Sequence, residues 1–200
     1  MGDFEPRFTP TDYFRELTPG ELFQASDRPL EVDLGCGDGT FLVEMARHYP
    51  ERCFLGVERL EGRVDKVARK IKRSGLTNAR VLRLESSYTV GWLLPAAGVS
   101  RLHLLCPDPW PKKKHHRRRL VADLEFQGGL ERCLTPDGEF LHKTDNPEYF
   151  EVATGLFDQL PAFQRLDWPE DSFFYPRTDF EKQWLAAGRT IHRARWQLKK

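Results

Sequence analysis

Apolar and polar positions alternate between short apolar runs and amphipathic stretches along the whole chain. The runs Leu30–Leu34, Cys53–Glu58, Ala79–Leu84, Arg101–Cys106, Gly138–Lys143, Ala162–Trp168 and Thr190–Trp196 predict seven strands. Helical spacing falls between them, over Thr40–His48, Glu61–Arg73, residues 118–134 and Pro147–Leu160. In the second of these Val64, Val67, Ala68 and Ile71 mark one apolar face, and Gly75 supplies a stop. Strands alternating with helices predict an α/β fold, a mostly parallel sheet with helices on both faces. Residues 1–29 precede the first strand and are expected as an N-terminal extension to a single domain over residues 30–200. Ligands of such sheets bind beyond the carboxyl ends of the strands, which directs attention to the loops there.

Composition narrows the class. A chain of 200 residues with 40% hydrophobic and 30% charged residues is one globular domain. The net charge of +1 hides −3 over residues 1–30, +8 over 31–120, −10 over 121–181 and +6 over 182–200. Basic blocks of this kind mark candidate nucleic-acid surfaces. No run approaches the ~18 apolar residues of a membrane span, and Met1–Pro10 holds no apolar signal core. Cys36, Cys53, Cys106 and Cys133 form no C-x-x-C pair, so reduced thiols, a cytoplasmic setting and no metal are expected.

The run Glu31-Val-Asp33-Leu-Gly35-Cys-Gly37-Asp38-Gly39 joins a strand to a helix. Alternate glycines let the chain turn sharply and let a ligand approach bare main chain. A second strand then ends in Glu58, a carboxylate about twenty residues on, which suits a ribose diol. A dinucleotide would seat its pyrophosphate at the helix N-terminus. Asp33 and Asp38 would repel that group and would favour a cation, and S-adenosylmethionine carries both an ammonium and a sulfonium. Glu85, just past the third strand, is a further acid at a carboxyl end, with an ordinary surface glutamate as its alternative.

The most informative stretch is Cys106-Pro-Asp-Pro-Trp-Pro-Lys-Lys-Lys-His-His-Arg-Arg-Arg119. Prolines on both sides of Asp108 hold it in extended geometry at the ligand-binding edge. Trp110 is either a platform for an unpaired base or packing over the loop. Six Lys or Arg and two His fill the eight residues from Lys112 to Arg119, the pattern of a phosphate-backbone track. Cys106, His115 and His116 match no familiar zinc spacing.

These residues resemble the bacterial tRNA (guanine-N(7))-methyltransferases, the TrmB-like family. The resemblance runs from about Leu30 to Trp196. It takes in Asp33-Leu-Gly-Cys-Gly-Asp-Gly, Phe54-Leu-Gly-Val-Glu58, the Pro-Asp-Pro-Trp run, Thr144-Asp145 and Thr178-Asp-Phe-Glu181. It implies a class I S-adenosylmethionine-dependent methyltransferase, Rossmann-like, acting on N(7) of a guanine at position 46 in the variable loop of tRNA. It also implies that Asp33 holds the methionine end of the donor, Glu58 the ribose and Glu85 the adenine side, with Gly35, Gly37 and Gly39 against the cofactor. Asp108 would be the catalytic residue and would adjoin the donor. Lys112, Asp145, Thr178, Asp179, Phe180 and Glu181 would contact the tRNA. The sequence departs from the commoner pattern at Asp33 (glutamate), at Glu85 (Asp or Asn) and at Asp179.

Guanine N(7) offers an in-plane lone pair, so methyl transfer to it needs no general base, and positioning carries the catalysis. The Lys112–Arg119 run and the acid-free tail (Lys182, Arg189, Arg193, Arg195, Lys199, Lys200) are expected to grip phosphates, in a monomer or homodimer. Rival readings are a methyltransferase acting on another RNA site or on an exocyclic amine, a non-catalytic RNA-binding protein on this scaffold, and an NAD-dependent oxidoreductase.

Overall fold

The structure, a computed structural model, describes residues 4–24, 27–110 and 112–199, without the side chains of Lys113 and Arg117. Pro111 of the proline-rich run and Lys200 of the basic tail therefore lie outside the described residues, as do those two side chains of the basic run.

Eight strands form one sheet among the described residues. Six of them are β1 (Arg7–Phe8), β2 (Leu30–Leu34), β3 (Cys53–Glu58), β4 (Ala79–Arg83), β5 (Val99–Leu105) and β6 (Leu134–Thr144). The last two are β7 (Phe163–Leu166) and β8 (His192–Leu198). The sheet order is β1-β4-β3-β2-β5-β6-β8-β7. Pairing is parallel from β1 to β6, and β8 and β7 join antiparallel. The strand beyond the expected seven is β1, two residues of the N-terminal segment laid beside β4. That segment also buries Leu17, Leu22 and Phe23 in the core, around the four-residue helix α1 (Pro19–Leu22).

Longer helices are α2 (Thr40–His48) and α3 (Glu61–Arg73); a single turn, α4 (Ser86–Tyr88), follows β4. Next come α5 (Leu124–Cys133), α6 (Pro147–Phe157) and α7 (Asp179–Ala186). The helical spacing over 118–134 resolves into a 3₁₀ turn at Leu120–Ala122 and then α5, because Asp123 caps a new helix by accepting from Glu125 N. Helix α7 was not anticipated, although Thr178-x-x-Glu181 is a helix-start spacing: the Thr178 hydroxyl accepts from Glu181 N at 3.0 Å.

Two apolar layers sandwich the sheet. On one face Leu30, Val32, Leu34, Leu55 and Val57 pack with Phe126 and Leu130 of α5 and Ala153 and Phe157 of α6. On the other, Phe54, Ala79 and Val81 pack under Phe41, Leu42 and Met45 of α2 and Val64, Val67 and Ile71 of α3. Each fully buried Val, Leu, Ile, Phe or Met side chain among these contributes about 1.5–3 kcal/mol. The β5–β6–β8 half of this second face carries Arg101, Lys143 and Arg195; among the described residues no helix packs along it, and α7 meets it through Glu181, which accepts from Lys143. The aromatic segment 168–175 lies there instead, with Phe173 against Arg101 and Arg195, and Trp168 and Tyr175 against Lys143.

Candidate functional site

Strand order reverses between β2 and β5, since β3 and β4 run off one side and β6 the other. A crevice therefore opens beyond the carboxyl ends at that point. The glycine loop follows β2 directly into it, and its turn is pinned by Gly35 N and Cys36 N donating to Val57 O at 2.8 and 3.0 Å. A cavity of about 200 Å³ occupies the crevice. Asp33, Gly35, Cys36, Gly37 and Asp38 line one side, Phe41 and Arg63 the flank, and Leu105, Thr178, Asp179, Phe180 and Gln183 the other.

Asp33 is the electrostatic centre of this cavity. It is 4% exposed and makes no hydrogen bond or ion pair among the described residues. Burial, and then the charges of Glu58 and Asp38, push its pKa up to about 7. A buried carboxyl without a partner is costly, and a cation bound beside it would relieve that cost.

Asp38 has a different fate. Lys70 of α3 donates to it, and Thr40 N donates to it at 3.1 Å, so hydrogen bonds outweigh its partial burial and hold its pKa near 2. Its carboxylate thus already occupies the start of α2, where a pyrophosphate would have to sit. The glycines divide their work as well. At Gly35 a Cβ would meet nothing within 4 Å and at Gly37 only the Gly35 carbonyl at 3.8 Å, so bare main chain faces the cavity. Gly39 does not line it, in contrast to expectation: a Cβ there would stand 2.8 Å from Val67, which makes it a packing contact between α2 and α3.

Glu58 ends β3 on the same face as Asp33. It is buried, accepts from Leu60 N at 2.9 Å and lies 3.6 Å from Arg63. Glu85 stands beyond the end of β4, exposed, capping α4 by accepting from Tyr88 N at 2.8 Å. Neither lines the cavity; both stand at carboxyl ends of strands, Glu58 at the end of β3 and Glu85 beyond the end of β4.

Asp108 is exposed on the rim, three residues past Leu105, and accepts from Trp110 N at 3.0 Å. Its loop is bracketed by Cys106 and Trp110, both left-handed at φ 48° and 46°. Such strain in bulky residues collects at functional sites. From Lys113 to Arg118 the basic run forms a 3₁₀ segment, with Lys112, Lys114 and Arg118 exposed and Arg118 set over the Trp110 ring. Arg119 departs from the expected track: it is 1% exposed and donates to Pro109 O at 3.0 Å.

Helix α7 closes the opposite wall. Thr178, Asp179 and Phe180 line the cavity, and Asp179 reaches the Thr40 hydroxyl at 3.4 Å. Glu181 is buried; Lys143 donates to one of its oxygens at 3.0 Å, while the other is buried without a partner. Asp145 receives Arg189 at 2.6 Å. Of the basic tail, Arg195 is largely covered and bound to Glu139, while Arg189 on Asp145 and Lys182, 3.6 Å from Asp179, stay about half exposed. Sequence reasoning missed Phe41, Arg63, Lys143 and Gln183. It also missed the buried chain in which Glu31 contacts His103 at 2.9 Å and His103 contacts Tyr175 at 2.8 Å. Glu31 and His103 sit at alternate-face strand positions that read as ordinary core. Burial raises Glu31, but His103, Arg101 and Arg52 together keep its pKa below the usual value.

The chain matches the family Methyltransf_4, described as "Putative methyltransferase", over residues 27–194. It is 34% identical to a tRNA (guanine-N(7)-)-methyltransferase of Syntrophotalea carbinolica, over 82% of this chain and 72% of that one. With the protein of the same description from Vibrio parahaemolyticus it shares 33% identity, over 94% of this chain and 79% of that one. A solved 16S rRNA (adenine(1408)-N(1))-methyltransferase from Catenulisporales acidiphilia, with SAM as cosubstrate, superposes at TM-score 0.58 and 20% identity, covering 88% of each chain. That last likeness establishes the class I methyltransferase fold.

Proposed function

Because this chain belongs to the tRNA (guanine-N(7)-)-methyltransferase family, we propose that its cavity seats the ammonium end of S-adenosylmethionine on Asp33 and that guanine 46 of the tRNA variable loop enters over the Asp108 rim. The reaction class follows from the family: methyl transfer from S-adenosylmethionine to N(7) of a guanine in tRNA. The observation that carries the residue assignment is the buried, unpartnered Asp33 facing the bare main chain of Gly35 and Gly37. That is the donor set a small cation needs.

When bound, the cofactor supplies an electrophilic methyl on a sulfonium. The protein then has to hold, orient and keep dry. Glu58 retains acceptor capacity for a ribose diol, and Glu85 reaches the adenine side of the rim. Guanine N(7) attacks with a lone pair already in the ring plane, so no side chain need remove a proton first. The methylated ring gains positive charge, which the Asp108 carboxylate offsets at the rim. The Thr178–Phe180 wall offers an aromatic edge to the incoming base. Exposed Lys112, Lys114 and Arg118 then meet the RNA backbone.

The test is incubation of the protein with labelled S-adenosylmethionine and unmodified tRNA, followed by mass identification of the nucleoside and mapping of its position. 7-Methylguanosine in the variable loop supports the reading. The label on another nucleoside, or at another site, overturns it.

A further inference from the structure

Arg119 is the last cation of the basic run and, among the described side chains of that run, the one out of reach of solvent. Its side chain is fully buried, although its guanidinium is charged at any working pH. Nε donates to the Pro109 carbonyl at 3.0 Å. The guanidinium lies 5.3 Å from the centre of the Tyr149 ring, on α6. One terminal nitrogen is 3.6 Å from Glu148, and neither terminal nitrogen has a hydrogen-bond partner. A buried cation so thinly paired does not repay its desolvation through stability. What it does hold is the peptide next to Asp108.

The loop is tied at its two ends, where Cys106 N donates to Lys143 O at 2.8 Å and Arg118 lies over the Trp110 ring, and the Arg119 bond to Pro109 holds it between them. Asp108 is exposed, its one hydrogen bond among the described residues runs to Trp110 N within the same loop, and Cys106 and Trp110 sit in strained left-handed conformations. Such a segment keeps its shape only when its surroundings impose it. The Nε bond to Pro109 ties the loop to a buried post on the first turn of α6, itself capped by Asn146 at 2.7 Å. A lysine could keep the charge but has no planar Nε donor to offer that carbonyl.

We propose that Arg119 is a positioning residue: anchored on Tyr149 and Glu148, it fixes the Pro107–Trp110 loop and so the direction of the Asp108 carboxylate, and it takes no part in gripping RNA. This rests on the reading of Asp108 given above, and the test separates the two.

Arg119→Met and Arg119→Lys are compared with Arg118→Ala, a neighbour exposed on the surface. The expected result for both Arg119 variants is a fall in kcat of about 10- to 100-fold, with KM for tRNA and the salt slope of tRNA binding unchanged. Arg118→Ala should do the reverse, raising KM and flattening the slope. Trypsin gives a readout free of activity: at a temperature where the fold is intact by circular dichroism, cleavage between Lys112 and Arg118 should be at least several-fold faster in Arg119→Met. Should that variant fail to fold, Arg119→Lys carries both measurements. Full kcat in Arg119→Lys, a raised KM with intact kcat in Arg119→Met, or unchanged trypsin cleavage in the variants would overturn the proposal. Faster cleavage in a protein whose wild type leaves tRNA guanine unmethylated would uphold the post and reject the Asp108 reading instead.

Discussion

Lys70 of α3 binds Asp38, and of the two acids flanking the glycine loop only Asp33 is left without a counter-charge. The pairing turns a loop that reads as doubly acidic into a cavity with a single buried carboxyl at its base.

Asp33→Asn removes the charge that would meet the donor's ammonium. The dissociation constant for S-adenosylmethionine should rise about 10- to 100-fold, the worth of one charge-assisted hydrogen bond. Titration calorimetry checks it; an unchanged constant would remove Asp33 from the donor site.

The same residue sets a pH dependence in the cofactor-free protein. Its folded pKa of about 7 lies above the usual carboxyl value, so the folded state holds the proton more tightly than the unfolded chain. The contribution to stability is present below about pH 4 and is lost as pH rises through 7. Asp33→Asn should therefore match the wild type in Tm near pH 4 and exceed it at pH 8. Parallel Tm curves across that range would contradict the buried, unpaired state.

Much of this arrangement was readable in the sequence. The alternate glycines, Glu58 at the end of its strand, and the prolines around Asp108 are local patterns whose geometry follows from backbone physics. What escaped was long-range. Nothing near Asp38 announces that Lys70, thirty-two residues on, will neutralise it. Arg119 is indistinguishable by type from Arg118, and only the tertiary position of Tyr149 makes one a buried post and the other a surface cation. The antiparallel pairing of β7 and β8, and the aromatic segment that replaces a covering helix, likewise depend on where Arg101, Lys143 and Arg195 come together.

Asp108→Asn keeps the shape of the loop and removes its charge. kcat should fall about 10²- to 10³-fold while donor affinity stays within a few-fold. Single-turnover kinetics with tRNA distinguish the two, and near-normal turnover would exclude a role for the carboxylate in the reaction.

Lys143→Met leaves the Glu181 carboxylate buried with neither oxygen paired. Breaking a buried pair from one side costs about 3–5 kcal/mol, visible as a lowered urea midpoint. The double variant Lys143→Met/Glu181→Gln should recover part of that loss. A single-variant cost below about 1 kcal/mol would show that the pair does not hold α7 against the sheet.

Replacing Lys112, Lys114 and Arg118 together with Ala should weaken tRNA binding and flatten its salt dependence. Each lost phosphate contact takes roughly 0.7–0.9 from the slope of log affinity against log salt. An unchanged slope would make this run ordinary solvated surface.

The most direct test of the account is proton release when S-adenosylmethionine binds at pH 6.5, measured by calorimetry in buffers of different ionisation enthalpy. With Asp33 titrating near 7, it is mostly protonated in the empty site and must ionise to hold a cation. The wild type should release roughly three quarters of a proton per donor bound, and Asp33→Asn should release none. No release from the wild type, or equal release from both proteins, would contradict the assignment of Asp33 as the seat of the donor's positive charge.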